Sequence, residues 1–276
     1  MKITVKALME LAVIVHKQCG IVLSKNKAYL IEDKLEPLIR GYGLSSFEEL
    51  VAGAKNSPQM TDHIVDRITT NETSFFRDKK PYDLLREKLL PDWQAGRGRT
   101  PGSLNIWSCA CSTGQEVYSI AITLMEYFKE KPFNHHIRIK ATDISDSAIA
   151  TASRGRYSEF EAGRGLDEAR LKNYFTWEGG YWKIRDDLRS MAYFEKMNLL
   201  QPKIEYHQFD IIFCRNVAIY FSKTDRRSLF QNLSACLSDK GALIIGATES
   251  LFDISEQLKR VEYNGIAYYI PDHRPG

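Results

Sequence analysis

Several short segments carry residue types suited to gripping a small ligand at the ends of strands. In "IWSCACSTGQEVYS" (residues 106–119), an apolar run ends in small residues around Gly114 and then opens a helical pattern. That arrangement lets a ligand approach bare backbone. The glycine spacing is not G-x-G-x-x-G, and no Lys-Ser/Thr follows, so neither a dinucleotide nor a phosphate loop is indicated. Glu116 falls in the first turn of the helix, where it would repel a pyrophosphate and suits a ligand without phosphates; it also complements the helix dipole. In "ATDIS" (141–145) the second strand ends in an acid, Asp143, placed to take ribose hydroxyls, although Asp143 and Ser145 are both competent helix caps. "FCRNVAIYF" (213–221) follows a buried strand with Arg215 and Asn216, aimed at the same end of the sheet. Tyr220 can point a hydroxyl at a ligand there, while Phe221 reads as packing.

These residues need a scaffold, and the hydrophobic pattern supplies one. Residues 1–90 carry helical stripes throughout, such as Ile31, Leu35, Leu38 and Ile39. Ser45 with Glu48 is expected to cap one helix and Ser57 with Pro58 the next. After the Gly/Pro/Arg-rich stretch 96–103, strands alternate with helices: "LNIWSCA", "IRIKATDI", "FDIIFCRN" and "ALIIGA". Such alternation predicts a parallel sheet covered on both faces. Asn264-Gly265 between apolar runs predicts an antiparallel hairpin at the end. Residues 156–195 interrupt the alternation with a short helix, a hairpin around Gly179-Gly180 and "MAYFEKMNLL", which reads as a small inserted β-subdomain.

The bulk properties set outer bounds. A 276-residue chain has room for one large domain or two, and a net charge of +3 is too small to argue for nucleic acid. The five cysteines have no zinc-type spacing, and Cys109, Cys214 and Cys236 sit among apolar residues, as free thiols of a reducing compartment do. The early apolar run "LMELAVIV" is too short to span a bilayer and has no cleavage site after it. The expectation is a cytoplasmic monomer with no bound metal, no membrane insertion and no nucleic-acid partner. No G-x-S-x-G nucleophile elbow is present. Two other readings of the same sheet, a nucleotide-dependent oxidoreductase and a non-catalytic sensor that binds the same ligand, fit the acid in the first helical turn and Tyr220 less well.

Taken together, "TTNETSFFRD" (69–78), "WSCACSTGQEVYSIA", "ATDIS", "NLL" (198–200) and "FCRNVAIYF" resemble the CheR family of chemotaxis receptor methyltransferases. The resemblance covers nearly the whole chain, and its first motif is peculiar to the family. Gln115 departs from the family's usual acid, and the hairpin is shorter than in some members. The resemblance implies a class I S-adenosylmethionine-dependent methyltransferase: a Rossmann-like α/β fold, mostly parallel, with an antiparallel C-terminal hairpin. An all-α N-terminal domain (1–78) would end in a cofactor-contacting linker, a methyltransferase domain would span 79–276, and the β-subdomain 156–195 would be inserted in it.

It further implies transfer of a methyl group to glutamate side chains in the cytoplasmic helical region of chemoreceptors, giving γ-methyl esters and S-adenosylhomocysteine. By similarity, Asn71, Thr73, Arg77, Glu116, Asp143, Asn198, Leu199, Arg215 and Asn216 bind the methyl donor, with Asn198 and Leu199 near the adenine. Arg77 and Tyr220 are the family's candidates for orienting the reactants. Acidic receptor helices call for a basic docking face, and Lys25, Lys27, Lys34 and Arg40 are the candidates for it. The short hairpin argues against capture of a receptor's C-terminal peptide.

Overall fold

The computed structural model describes residues 1–24, 26, 28–97, 102–129, 136–204 and 207–272. Four helices come first: α1 (Val5–Cys19), α2 (Ala28–Gly41), α3 (Phe47–Asn56) and α4 (Pro58–Ile68). Each buries one stripe, and Leu11, Leu35, Ile39, Leu50 and Ile64 meet in a core of their own, fully removed from water. Ser57 caps α4 as the sequence predicts, accepting from Met60 N. For α3 the cap is one residue later than expected. Ser46 accepts from Glu49 N, and Glu49 reaches back to Ser45 N at 2.8 Å. Two adjacent serines offer equivalent caps, and the apolar phase of Phe47 and Leu50 decides between them.

Residues 70–79 cross to the second unit. There α5 (Lys80–Leu84) and α6 (Leu90–Asp92) are joined by the wider turns Leu85–Leu89 and followed by Trp93–Arg97. Strand β1 (Ser103–Cys109), helix α7 (Gln115–Phe128), strand β2 (His136–Asp143) and helix α8 (Asp146–Arg154) open the alternation. The insertion follows as β3 (Arg156–Tyr157), α9 (Glu159–Gly163), α10 (Glu168–Tyr174), β4 (Phe175–Glu178), β5 (Tyr181–Ile184) and α11 (Asp186–Arg189). Then come β6 (Ala192–Lys196), β7 (Phe209–Cys214), α12 (Lys223–Cys236), β8 (Leu237–Ile245), β9 (Leu258–Tyr263) and β10 (Ile266–Pro271).

The main sheet has the order β6-β2-β1-β7-β8-β10-β9, parallel up to β8 and antiparallel in its last two strands. The β9–β10 turn has both Asn264 (φ 48) and Gly265 (φ 73) in the left-handed region, as that dipeptide predicts. One expectation needs correcting. The insertion's own sheet is only β3-β5-β4, whereas β6 lies parallel to β2 at the edge of the main sheet. Alternation marked 192–196 as a strand but carries no information about its partner.

Alternation along β7 divides the core in two. Ile211 and Phe213 face α7 and the insertion, while Ile212 and Cys214 face α12 through Leu229, Phe230 and Leu233. Helix α7 is covered on all sides, from Val117 to Leu124. This burial holds the strand ends, and the loops that leave them, in fixed relation.

Candidate active site

At the carboxyl ends of β1, β2 and β7 the sheet meets the end of the helical domain, and a cleft of about 920 Å³, its open mouth included, lies between them. Asn71, Thr73 and Arg77 line it from the crossing segment, Glu116 from the first turn of α7 and Asp143 from the end of β2. Asn198 and Leu199 follow β6, and Arg215, Asn216 and Tyr220 follow β7. The residues singled out for a donor site therefore share one cavity. Cys19, Ile21, Thr69 and Thr70 add a wall from the helical domain.

The crossing segment is held by its aromatic pair. Phe75 is 1% exposed and sits edge-on to Tyr157 and Phe175, with its N–H donating to Arg164 O at 3.1 Å. Phe76 packs on Tyr82, takes Arg170 over its ring at 3.9 Å, and donates its N–H to Ser119 Oγ at 2.9 Å. Gly165, at φ +101, allows this approach, because a Cβ there would lie 1.8 Å from the Phe75 carbonyl oxygen. The polar half of the motif is thereby turned toward the cleft.

A chain of charges ties this segment to the sheet. Arg215, with a side chain 2% exposed, donates through Nη1 to Glu116 Oε2 at 2.9 Å and through Nη2 to Asp78 Oδ2 at 2.7 Å. Nη2 also reaches the Arg77 carbonyl at 2.9 Å, and Ser108 Oγ donates to the other Glu116 oxygen at 2.8 Å. Arg215 Nε is buried without a partner among the described residues. The second guanidinium on the wall, Arg77, is bonded to the Glu72 carbonyl at 3.2 Å and has no carboxylate partner among the described residues.

Asp143 accepts from Ser112 N at 2.8 Å and from Ser145 N at 3.0 Å. The helix cap is Ser145, whose side chain accepts from Ala148 N, so the cap alternative for Asp143 falls away. Burial raises the Asp143 pKa even against the lowering effect of those amides. Two amide donors leave lone pairs on a carboxylate, and two ribose hydroxyls would satisfy them. Asp143 thus has acceptor capacity for a ligand's hydroxyls and Arg77 a charge for an anion, while both Glu116 oxygens are engaged by Arg215 and Ser108 and keep lone pairs for a further donor.

Some predicted residues are engaged elsewhere. Asn198 Nδ2 donates to Gln18 O at 2.9 Å and its Oδ1 accepts from Leu200 N, so its side chain fastens the end of α1 to the sheet domain. Lys34 is turned inward: Nζ reaches Ile68 O at 2.8 Å, with Thr69 O and Thr70 Oγ1 also in range, and burial lowers its pKa. It closes the carboxyl end of α4 and does not stand on an open basic face. Arg40 is exposed and pairs with Glu36 one turn back. Lys25 and Lys27 lie outside the described residues.

Sequence reasoning passed over Ser108, Ser112 and Asp78. Ser112 Oγ also donates to Asn71 O at 3.0 Å, linking the β1 loop to the crossing segment. All three lie inside motifs already singled out, but short polar side chains leave no periodic signal.

The mostly parallel sheet, the Gly114 turn and the acid at the end of β2 place the second unit in the Rossmann-like class, with its cleft at the strand ends. Comparison with known proteins is specific about which. Residues 71–266 match the model of the CheR methyltransferase SAM-binding domain, and residues 6–69 match the CheR all-alpha domain. Chemotaxis protein methyltransferase 1 of Pseudomonas aeruginosa is 37% identical over 261 residues, covering 93% of this chain and 94% of that one. The Vibrio parahaemolyticus chemotaxis protein methyltransferase is 38% identical over 258 residues, covering 92% of each. The Borreliella burgdorferi chemotaxis protein methyltransferase is 35% identical over 254 residues, covering 90% and 89%. The chain belongs to the CheR methyltransferase family and is an S-adenosylmethionine-dependent methyltransferase of chemotaxis. No helix among its described residues is long and apolar enough to cross a membrane.

Proposed function

We propose that the chain methylates glutamate side chains in the cytoplasmic helical region of chemoreceptors, producing γ-methyl esters and S-adenosylhomocysteine. The observation that carries this reading is the inequality of the two guanidinium groups on the cleft wall. Arg215 is neutralised by Glu116 and Asp78, whereas Arg77 faces the cleft with only a carbonyl contact among the described residues. A methyl acceptor that is a carboxylate needs such a cation once water has been removed from it.

A carboxylate is ionised near neutral pH, so it needs no strong general base. The sulfonium of the donor supplies an electrophilic methyl group. What remains for the protein is alignment and exclusion of water. Asp143 and Leu199 hold the nucleoside end, Glu116 the amino-acid end, and Asn71, Thr73 and Asn216 line the path between. Arg77 steadies a carboxylate, and Tyr220, half-buried in the same cleft, orients it. In this reading the protein works as a cytoplasmic monomer, reaches the membrane arrays only through the receptor, and uses no metal.

Docking falls to the basic side of the helical domain. Arg40 is a candidate, as are Lys25 and Lys27; the inward position of Lys34 removes it from the docking face. Charge reversal at Lys27 and Arg40 is expected to raise the receptor KM, and an unchanged KM would refute the docking assignment.

The test of the main proposal compares Arg77→Ala with Phe221→Leu, a packing change in the same cleft. Turnover of receptor fragments falls about 100-fold for Arg77→Ala and little for Phe221→Leu. Equal turnover of wild type and Arg77→Ala would overturn the role of Arg77. A rise in donor KM with kcat intact would show that Arg77 grips the donor's own carboxylate and not the acceptor's.

A further inference from the structure

The loops after β7 and β8 are tied together by one carboxylate that has no place in the donor site. Glu249 accepts from Asn216 N at 2.8 Å and Gly246 N at 2.7 Å through Oε2, and from Ala218 N at 2.9 Å through Oε1. Three backbone donors from two loops therefore converge on one side chain. Such charge-assisted bonds are about twice as strong as neutral ones.

The neighbourhood is built around this grip. Asn216 sits at φ +58, in the left-handed region that asparagine tolerates better than other non-glycine side chains. Gly246 permits the approach. A Cβ there would lie 2.7 Å from Glu249 Oε2, 2.8 Å from Asn216 Nδ2 and 3.0 Å from Asn216 N. The segment held in this way carries Asn216, Val217, Tyr220 and Phe221, all on the cleft wall. Beyond the short turn Ala218–Tyr220 it has little regular structure of its own. Its amides at 216 and 218 would otherwise have to turn toward water or into the cleft.

We infer that Glu249 is a positioning residue for methyl transfer: it fixes Asn216 in its left-handed conformation and so sets where Tyr220 stands relative to the donor. It does not touch the reactants. The sequence offers one clue, since "GATES" puts this acid just past the end of β8, beside the strand that leads into Arg215 and Asn216.

The experiment uses the full chain as Glu249→Ala and Glu249→Gln. It measures kcat and both KM values with a receptor fragment, S-adenosylhomocysteine affinity by calorimetry, melting temperature, and hydrogen exchange by mass spectrometry. Glu249→Ala is expected to lower kcat about 100-fold per folded molecule, with a much smaller change in homocysteine-product affinity. Exchange should quicken at 216–218 and 246 and stay unchanged in α1–α4. Glu249→Gln retains one acceptor oxygen and is expected to lose on the order of tenfold. If Glu249→Ala fails to fold, Glu249→Gln decides. Unchanged kcat per folded molecule, or unchanged exchange at 216–218, would overturn the proposal. The activity arm rests on glutamate as the acceptor; the exchange arm does not, so the two failures are distinguishable.

Discussion

Replacing Arg215 with Met would test whether the buried charge chain holds the site together. Both partners of the Arg215–Glu116 pair are withdrawn from water, at 2% and 12% side-chain exposure, whereas Asp78 is 42% exposed. Truncating the guanidinium leaves Glu116 with the Ser108 hydroxyl and no counter-charge. Removing one partner of a buried pair typically destabilises by about 3–5 kcal/mol. Exposed pairs contribute about 0–1 kcal/mol. Urea denaturation of the purified chain should therefore show Arg215→Met losing about 3–5 kcal/mol and Asp78→Asn about 1 kcal/mol or less. The double variant Arg215→Met/Glu116→Gln should be more stable than Arg215→Met alone, because no buried unpaired charge remains. A loss under about 1 kcal/mol for Arg215→Met would refute the reasoning, as would an equal loss for Asp78→Asn.

Three further outcomes follow from the geometry. Because burial raises the Asp143 pKa, the carboxylate gains its proton above the usual carboxylate range as pH falls. Affinity for S-adenosylhomocysteine, measured by calorimetry, should then begin to decline, as pH falls, at a higher pH than an ordinary aspartate would dictate, and Asp143→Asn should bind about 10–100-fold more weakly with that decline abolished. Gly165→Ala drives a methyl group into the Phe75 carbonyl and should lower the melting temperature and donor affinity together; a wild-type melting curve would show that the crossing segment is not clamped there. Lys34→Met should weaken folding through the α4 terminus while the receptor KM stays unchanged, and a selective rise in that KM would return Lys34 to the docking face.

Much of this was legible in the sequence for identifiable reasons. The β1, β2, β7 and β8 strands announce themselves because both faces are buried, which produces apolar runs bounded by turn residues. Asn264-Gly265 encodes its own turn. Gly114, Glu116, Asp143, Arg215 and Asn216 could be placed because strand ends in such a fold converge on one cleft, whatever fills it. Other features were hidden because they depend on partners distant in sequence. The period of "MAYFEK" is the same in either sheet, so its pairing with β2 leaves no local trace. Lys34 belongs to a charged helix, and composition does not report that it faces the end of α4. Asn198 carries a family motif yet bonds Gln18, 180 residues away, and Glu249 acts only through the amides of other loops.

The most direct test is transfer of labelled methyl from S-adenosylmethionine to a receptor cytoplasmic fragment, followed by mild base. The account predicts label on glutamate that base releases as methanol, and much less of it with Arg77→Ala. Donor binding without transfer to a carboxylate, or label that withstands base, would contradict it.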